Sequence, residues 1–115
     1  MSLERIFKAL VSLGLSQTDA RVYIYLATKG PKKARDIINN LTINKRQIYR
    51  SLKRLQNKAV IIANDEHPAE FSALPFEEVL DMLIKFKKEQ AQAVHETKKE
   101  ILSSWLTMMK KTSSN

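Results

Sequence analysis

The stretch from Asn44 to Lys58 limits the possible folds more than any other part of the chain. Ile48, Leu52 and Leu55 recur at i, i+4 and i+7, so they share one side of a helix. At about 100° per residue, Arg46, Arg50, Lys53 and Asn57 point to the opposite side, with Arg54 close by. Such a helix needs an apolar surface to lie on and leaves a row of cations turned outward. Either solvent or a polyanion must take that outer side.

The flanking segments supply the surface. Ala34 to Leu41 reads as a short helix with Ala34, Ile37, Ile38 and Leu41 inward. Thr42-Ile43 is a tight connection, Asn44 is an N-cap, and Gln47 stands where a side chain returns a bond to the cap. Two short helices joined by a tight turn, the second basic, make a helix-turn-helix. Val60 to Asn64 is short and β-rich, Asp65-Glu66-His67-Pro68 reads as a turn, and Ala69 to Leu74 alternates with Ala69, Phe71 and Ala73 on one side. An isolated hairpin is marginal, so this one must pack on the helices, in the position of a wing.

Upstream, Leu3, Ile6, Phe7 and Leu10 predict an amphipathic first helix ending near Gly14. Ser16 caps a second helix, and Asp19 suits its positive end. Ala20, Tyr23, Ile24 and Ala27, widened by Val22 and Leu26, give this helix the broad apolar surface of a central element. Gly30 is expected as a left-handed cap and Pro31 as a stop. Tyr49 lies at the edge of the buried stripe of the basic helix, where core packing is the expectation.

Downstream, Pro75 opens a last helix whose first turns carry Glu77, Glu78 and Asp81. No Gly or Pro follows, so the helix is expected to run from Phe76 to about Lys110. Leu80, Val94, Ile101 and Met108 fall on one row of sevens, which passes through Lys87. Ile84, Ala91 and Trp105 fall on a second, which passes through Lys98. Together they predict a coiled-coil seam, parallel or antiparallel, between two copies. The expected organisation is a winged helix-turn-helix over 1–75, a dimerising helix over 76–110 and a frayed tail over 111–115. The fold class is mainly α with a small β-hairpin.

The net charge of +8 is concentrated. Residues 32–60 hold Lys32, Lys33, Arg35, Lys45, Arg46, Arg50, Lys53, Arg54 and Lys58 against the single acid Asp36, whereas no Lys or Arg occurs from Ala59 to Ile84. Localised positive charge points to an anionic partner. The absence of cysteine excludes disulfides and thiolate chemistry and fits a reducing compartment. No apolar run approaches membrane-spanning length, and the first residues lack a signal-peptide layout, so a cytoplasmic location is expected. His67 and His95 stand far apart with no cysteine to join them, which argues against a metal site. The carboxylate pairs fall at a helix start and a turn tip, and no Gly-rich phosphate loop occurs. No enzyme and no cofactor are expected, and nothing specifies a small-molecule effector.

Leu13-Gly14-Leu15-Ser16, then Asp19-Ala20-Arg21-Val22-Tyr23, resembles the opening of the TrmB-like regulators, a winged-helix group typical of archaea. Ala34-Arg35-Asp36-Ile37 and Ile48-Tyr49-Arg50-Ser51-Leu52-Lys53-Arg54-Leu55 continue the likeness, as does Pro68 to Pro75 followed by Glu77-Glu78-Val79. The likeness covers roughly residues 10 to 80. It implies a DNA-binding transcription regulator with Asn44–Lys58 as recognition helix. Larger members carry a C-terminal sugar-binding domain, where this sequence ends in a helix. Thr42 stands where a Gly is common and Asn44 where a Pro is common; both are compatible with the fold. The wing is acidic, with Asp65, Glu66 and Glu70, so phosphate contacts by the wing are not carried over.

The expected function is sequence-specific binding of double-stranded DNA by a homodimer. Lys45, Arg46, Gln47 and Arg50 are nearest the recognition-helix N-terminus, where side chains meet base edges, and the cap residue Asn44 is counted with the DNA-binding residues. Lys53, Arg54, Lys32, Lys33 and Arg35 are expected on phosphates, the last three at the start of the preceding helix. The rival reading is a winged-helix protein-interaction module of the transcription machinery.

Overall fold

Three helices begin where a short polar side chain accepts a backbone N–H that the helix itself leaves unpaired. In the computed structural model, which describes residues 2–113, Ser2 accepts from Glu4 and opens α1 (Leu3–Ser12). Ser16 accepts from Asp19 at 3.0 Å and opens α2 (Gln17–Lys29). Asn44 accepts from Gln47 at 2.8 Å and opens α4 (Lys45–Asn57). Between them lie β1 (Lys32–Lys33) and α3 (Ala34–Leu41); after them come β2 (Ile61–Ala63), β3 (Glu70–Ala73) and α5 (Phe76–Ser113).

The helix-turn-helix is α3–α4, and the wing is β2–β3. The sheet differs from the expected two-stranded hairpin. It has three antiparallel strands in the order β1-β3-β2, with Lys32 opposite Phe71 and Lys33 opposite Glu70. Lys32 and Lys33 therefore lie on a sheet edge rather than in the first turn of α3. Asn64 Oδ1 accepts from the Glu66 and Glu70 amides and closes the wing tip.

By its contacts the chain divides into two units, one ending at Leu83 and one beginning at Ile84. The boundary falls two helical turns later than the expected 75/76, because Val79 and Leu83 on α5 are buried in the first unit. That unit's core is built on α2, as expected: Val22, Tyr23 and Leu26 meet Ile37 of α3, Ile48, Leu52 and Leu55 of α4, and Ile61 of β2. The Tyr23 hydroxyl donates to the Leu74 carbonyl at 2.6 Å, and burial pushes the phenol up to about 12. Ala27, expected on the buried side of α2, is exposed.

The second unit is a single helical segment whose described side chains are all exposed. The helix continues past Lys110 to Ser113, so the expected tail is helical over its first residues; Ser114 and Asn115 lie outside the described residues.

Of the residues at positive φ, two lie in the turns on either side of α3, and the non-glycine one of these is strained. Gly30 caps α2 at φ 86°, ψ −176°, an extended conformation of positive φ open essentially to glycine alone, in place of the expected left-handed helical cap. Thr42, the C-cap of α3, is truly left-handed at φ 54°, ψ 40°. A β-branched residue is poorly suited to that region, which costs roughly 1–2 kcal/mol. Thr42→Gly is expected to stabilise the protein by about 0.5–1 kcal/mol after the greater freedom of glycine in the unfolded chain is subtracted. Urea unfolding would show a raised midpoint at unchanged slope; an unchanged or lowered midpoint would mean that the turn relieves the strain elsewhere.

Candidate nucleic-acid interface

Helix α4 is held by its apolar side. Ile48, Leu52 and Leu55 are buried in the core, while Lys45, Arg46, Gln47, Arg50 and Lys53 are exposed. Among the described residues, Arg46, Arg50 and Lys53 have no acidic partner, so three cations of like sign crowd one exposed row. Asn44 is exposed as well, but its side-chain oxygen is engaged in the cap.

Arg54, expected on a phosphate, makes an ion pair within the protein. Its Nε donates to Asp19 Oδ2 at 3.0 Å and its Nη2 to Oδ1 at 2.8 Å. Asp19 is 1 % exposed, whereas the Arg54 side chain remains 47 % exposed. Burial raises the Asp19 carboxyl, but the hydrogen bonds from Arg54 and then its charge outweigh that effect and hold the carboxyl below its ordinary value. The Ser51 hydroxyl is fully buried beside this pair and helps to keep the carboxylate charged, although no partner meets it in good hydrogen-bond geometry. The two-pronged contact ties α4 to α2 across 35 positions of sequence. Sequence reading assigned Asp19 only to the helix end; the missed signal is one arginine of α4 lying about 80° from the Arg46 direction, at the margin of the buried side.

A cleft of about 670 Å³ opens between α3, the start of α4 and the wing tip. Lys33, Arg35 and Lys45 stand on its walls, and Ala34, Ile38 and Pro68 give it apolar surface. Tyr49 lines it too. This residue is 50 % exposed, not packed in the core, because α3 and the wing leave room beside it. The Lys45 ammonium lies over its ring, 6.0 Å from the centroid. Lys32 is half-buried and does not line the cleft. Asp65 and Glu66 are exposed at the wing tip, which leaves the wing without cations of its own.

On the second unit, Val94 is 67 % and Ile101 61 % exposed, and Trp105 and Met108 are similarly open. Ile84 is exposed and Leu80 partly buried. Ala91 is exposed on its row. Leu102, Leu106 and Met109, outside the two predicted rows, are also exposed. From Val94 to Met109 the apolar side chains cover about 160° of the helix circumference at 100° per residue. Tracing rows of sevens found one edge of this stripe and missed the other.

A helix-turn-helix followed by a wing, with a basic second helix turned outward, defines a winged-helix regulator. A family model described as "Sugar-specific transcriptional regulator TrmB" matches residues 10–77, and the chain belongs to that family. Solved structures share the fold at low identity. A protein from the thermoacidophilic archaeon Sulfolobus tokodaii superposes with a TM-score of 0.65 at 17% identity, covering 82% of this chain and 99% of that one. A possible transcriptional regulator from Methanosarcina mazei gives 0.60 at 16%, covering 87% and 88%. The transcriptional regulator Tm0710 from Thermotoga maritima gives 0.56 at 16%, covering 94% and 85%. No curated protein matches the chain. No helix among the described residues is long and apolar enough to cross a membrane, and no group of His, Cys, Asp or Glu among them is arranged to hold a metal ion.

Proposed function

We propose that the protein is a transcription regulator that binds double-stranded DNA sequence-specifically as a homodimer, with α4 as the recognition helix. The observation that carries this reading is the row Arg46, Arg50 and Lys53. These cations are exposed and, among the described residues, have no acidic partner on the side opposite the core anchor of α4, whereas Arg54 of the same helix is paired with Asp19. Self-repulsion along such a row is relieved by a polyanion. Arg46, Arg50 and Gln47 suit base edges in the major groove; Lys53, Arg35 and Lys33 suit phosphates. Arg54 and Lys32 are left out of the contact, the first because its guanidinium is engaged and the second because, unlike Lys33, it does not line the cleft.

The dimer rests on the exposed apolar stripe of α5. A helix without tertiary packing gains little stability in water, and most helices acquire theirs through a buried apolar side. Two-fold pairing would offer two copies of α4 to half-sites one helical turn apart or a multiple of it.

Selection of bound sequences from random duplex DNA, followed by Arg46→Ala plus Arg50→Ala, tests the reading. Two lost base contacts are expected to weaken binding at least about 30-fold at fixed salt. Duplex binding with unaltered strength and salt dependence in the double variant would remove α4 from the interface.

A further inference from the structure

The row of cations on α4 is flanked by one residue of another kind. Tyr49 lies about 60° from Arg46 around the helix and equally far from the buried Leu52, at the border of the exposed row. It is half exposed, with the Lys45 ammonium over its ring. The cleft it lines has apolar surface from Ala34, Ile38 and Pro68, and on its walls three cations against one carboxylate, Asp36, which leaves it net positive. An apolar floor with a positive margin suits an apolar group flanked by anions. On the major-groove edge of duplex DNA only one base presents such a group, the C5-methyl of thymine, and phosphates flank it on the backbone.

We infer that Tyr49 is a specificity-determining residue whose ring receives a thymine methyl, with Lys45 fixing the ring and Lys33 and Arg35 meeting the adjacent phosphates. This inference rests on the reading of α4 as recognition helix and adds to it the identity of a preferred base. Tyr49 neutralises no phosphate, so its share of binding is separable from that of the cations. Removing the ring weakens binding without changing the salt slope.

The test uses the full chain and a duplex obtained by selection. Each thymine is replaced in turn by uracil, which lacks only the methyl. At one position per half-site the wild type is expected to lose affinity about fourfold, the equivalent of one buried carbon group. Tyr49→Ala is expected to bind the thymine duplex about tenfold more weakly with an unaltered salt slope, and to be indifferent to uracil at that position. Tyr49→Phe is expected to keep the preference. Because Tyr49 is half exposed the variants should fold, which circular dichroism and the urea midpoint verify. Wild type that discriminates against uracil nowhere overturns the inference, as does Tyr49→Ala that weakens all duplexes equally or retains the uracil penalty. Wild type that binds no duplex overturns the underlying reading as well, which keeps the two failures distinguishable.

Discussion

Arg54→Met is expected to destabilise the protein by about 2–3 kcal/mol, most of it from leaving the Asp19 carboxylate buried without a partner. Breaking a fully buried pair costs about 3–5 kcal/mol; the smaller figure applies because Arg54 is itself 47 % exposed and its half of the pair is screened by water. The pH dependence identifies the cause. In the wild type the Asp19 carboxyl is held below its ordinary 3.8, so the pair's contribution is complete above that value and is lost as pH falls through the depressed one. In Arg54→Met burial is opposed only by the hydrogen bonds of Ser51 and Ser16, so the folded carboxyl rises from its wild-type value and the variant loses less stability than the wild type as pH falls. The two urea midpoints should converge on acidification across 3.8. The double variant Asp19→Leu plus Arg54→Met should recover much of the loss at neutral pH, since an apolar pair of similar volume often replaces a buried ion pair at little cost. A single variant as stable as wild type, or a gap between the two that does not depend on pH, would show that the pair is incidental.

Val94→Asp plus Ile101→Asp is expected to halve the solution mass measured by light scattering. Both side chains lie toward one edge of the exposed stripe of α5, on the predicted row of sevens, and both are more than 60 % exposed in a single chain. Placing carboxylates there sets like charges against each other across any two-fold seam, on top of the lost apolar burial. Helix content should fall too, because the segment after Leu83 has no other surface to stabilise it. The two should separate: the first unit should keep its urea midpoint while the far-UV signal drops. An unchanged mass would sink the proposed interface.

How much of this was legible in the sequence follows from how far each interaction reaches. The caps at Ser16 and Asn44 are local, set within three residues, and sequence shows them directly. The stripe Ile48, Leu52, Leu55 is periodic and equally plain. Strand β1 was not legible. Two lysines carry no strand pattern, and they become a strand only because β3 presents Phe71 and Glu70 opposite them. The engagement of Arg54 was hidden for a similar reason, since its partner lies on another helix. Tyr49 failed differently: its angle on the helix left both sides open, and the packing of α3 and the wing decided. Five of the expected contact residues, Lys45, Arg46, Gln47, Arg50 and Lys53, are all exposed on α4, because their placement depends only on the stripe that buries the other side.

The uninterrupted course of α5 across Leu83 and Ile84 has a consequence for dynamics. Its early amides, around Val79 and Leu83, belong to a buried core and open only when that core does, whereas amides after Val94 have only their own helix to protect them in an isolated chain. Hydrogen exchange along one continuous helix should therefore change from slow to fast with no break in structure to mark the change. If pairing is what covers the distal part, its exchange should slow as protein concentration rises while the proximal part is indifferent, making concentration itself a control on how much of this helix persists.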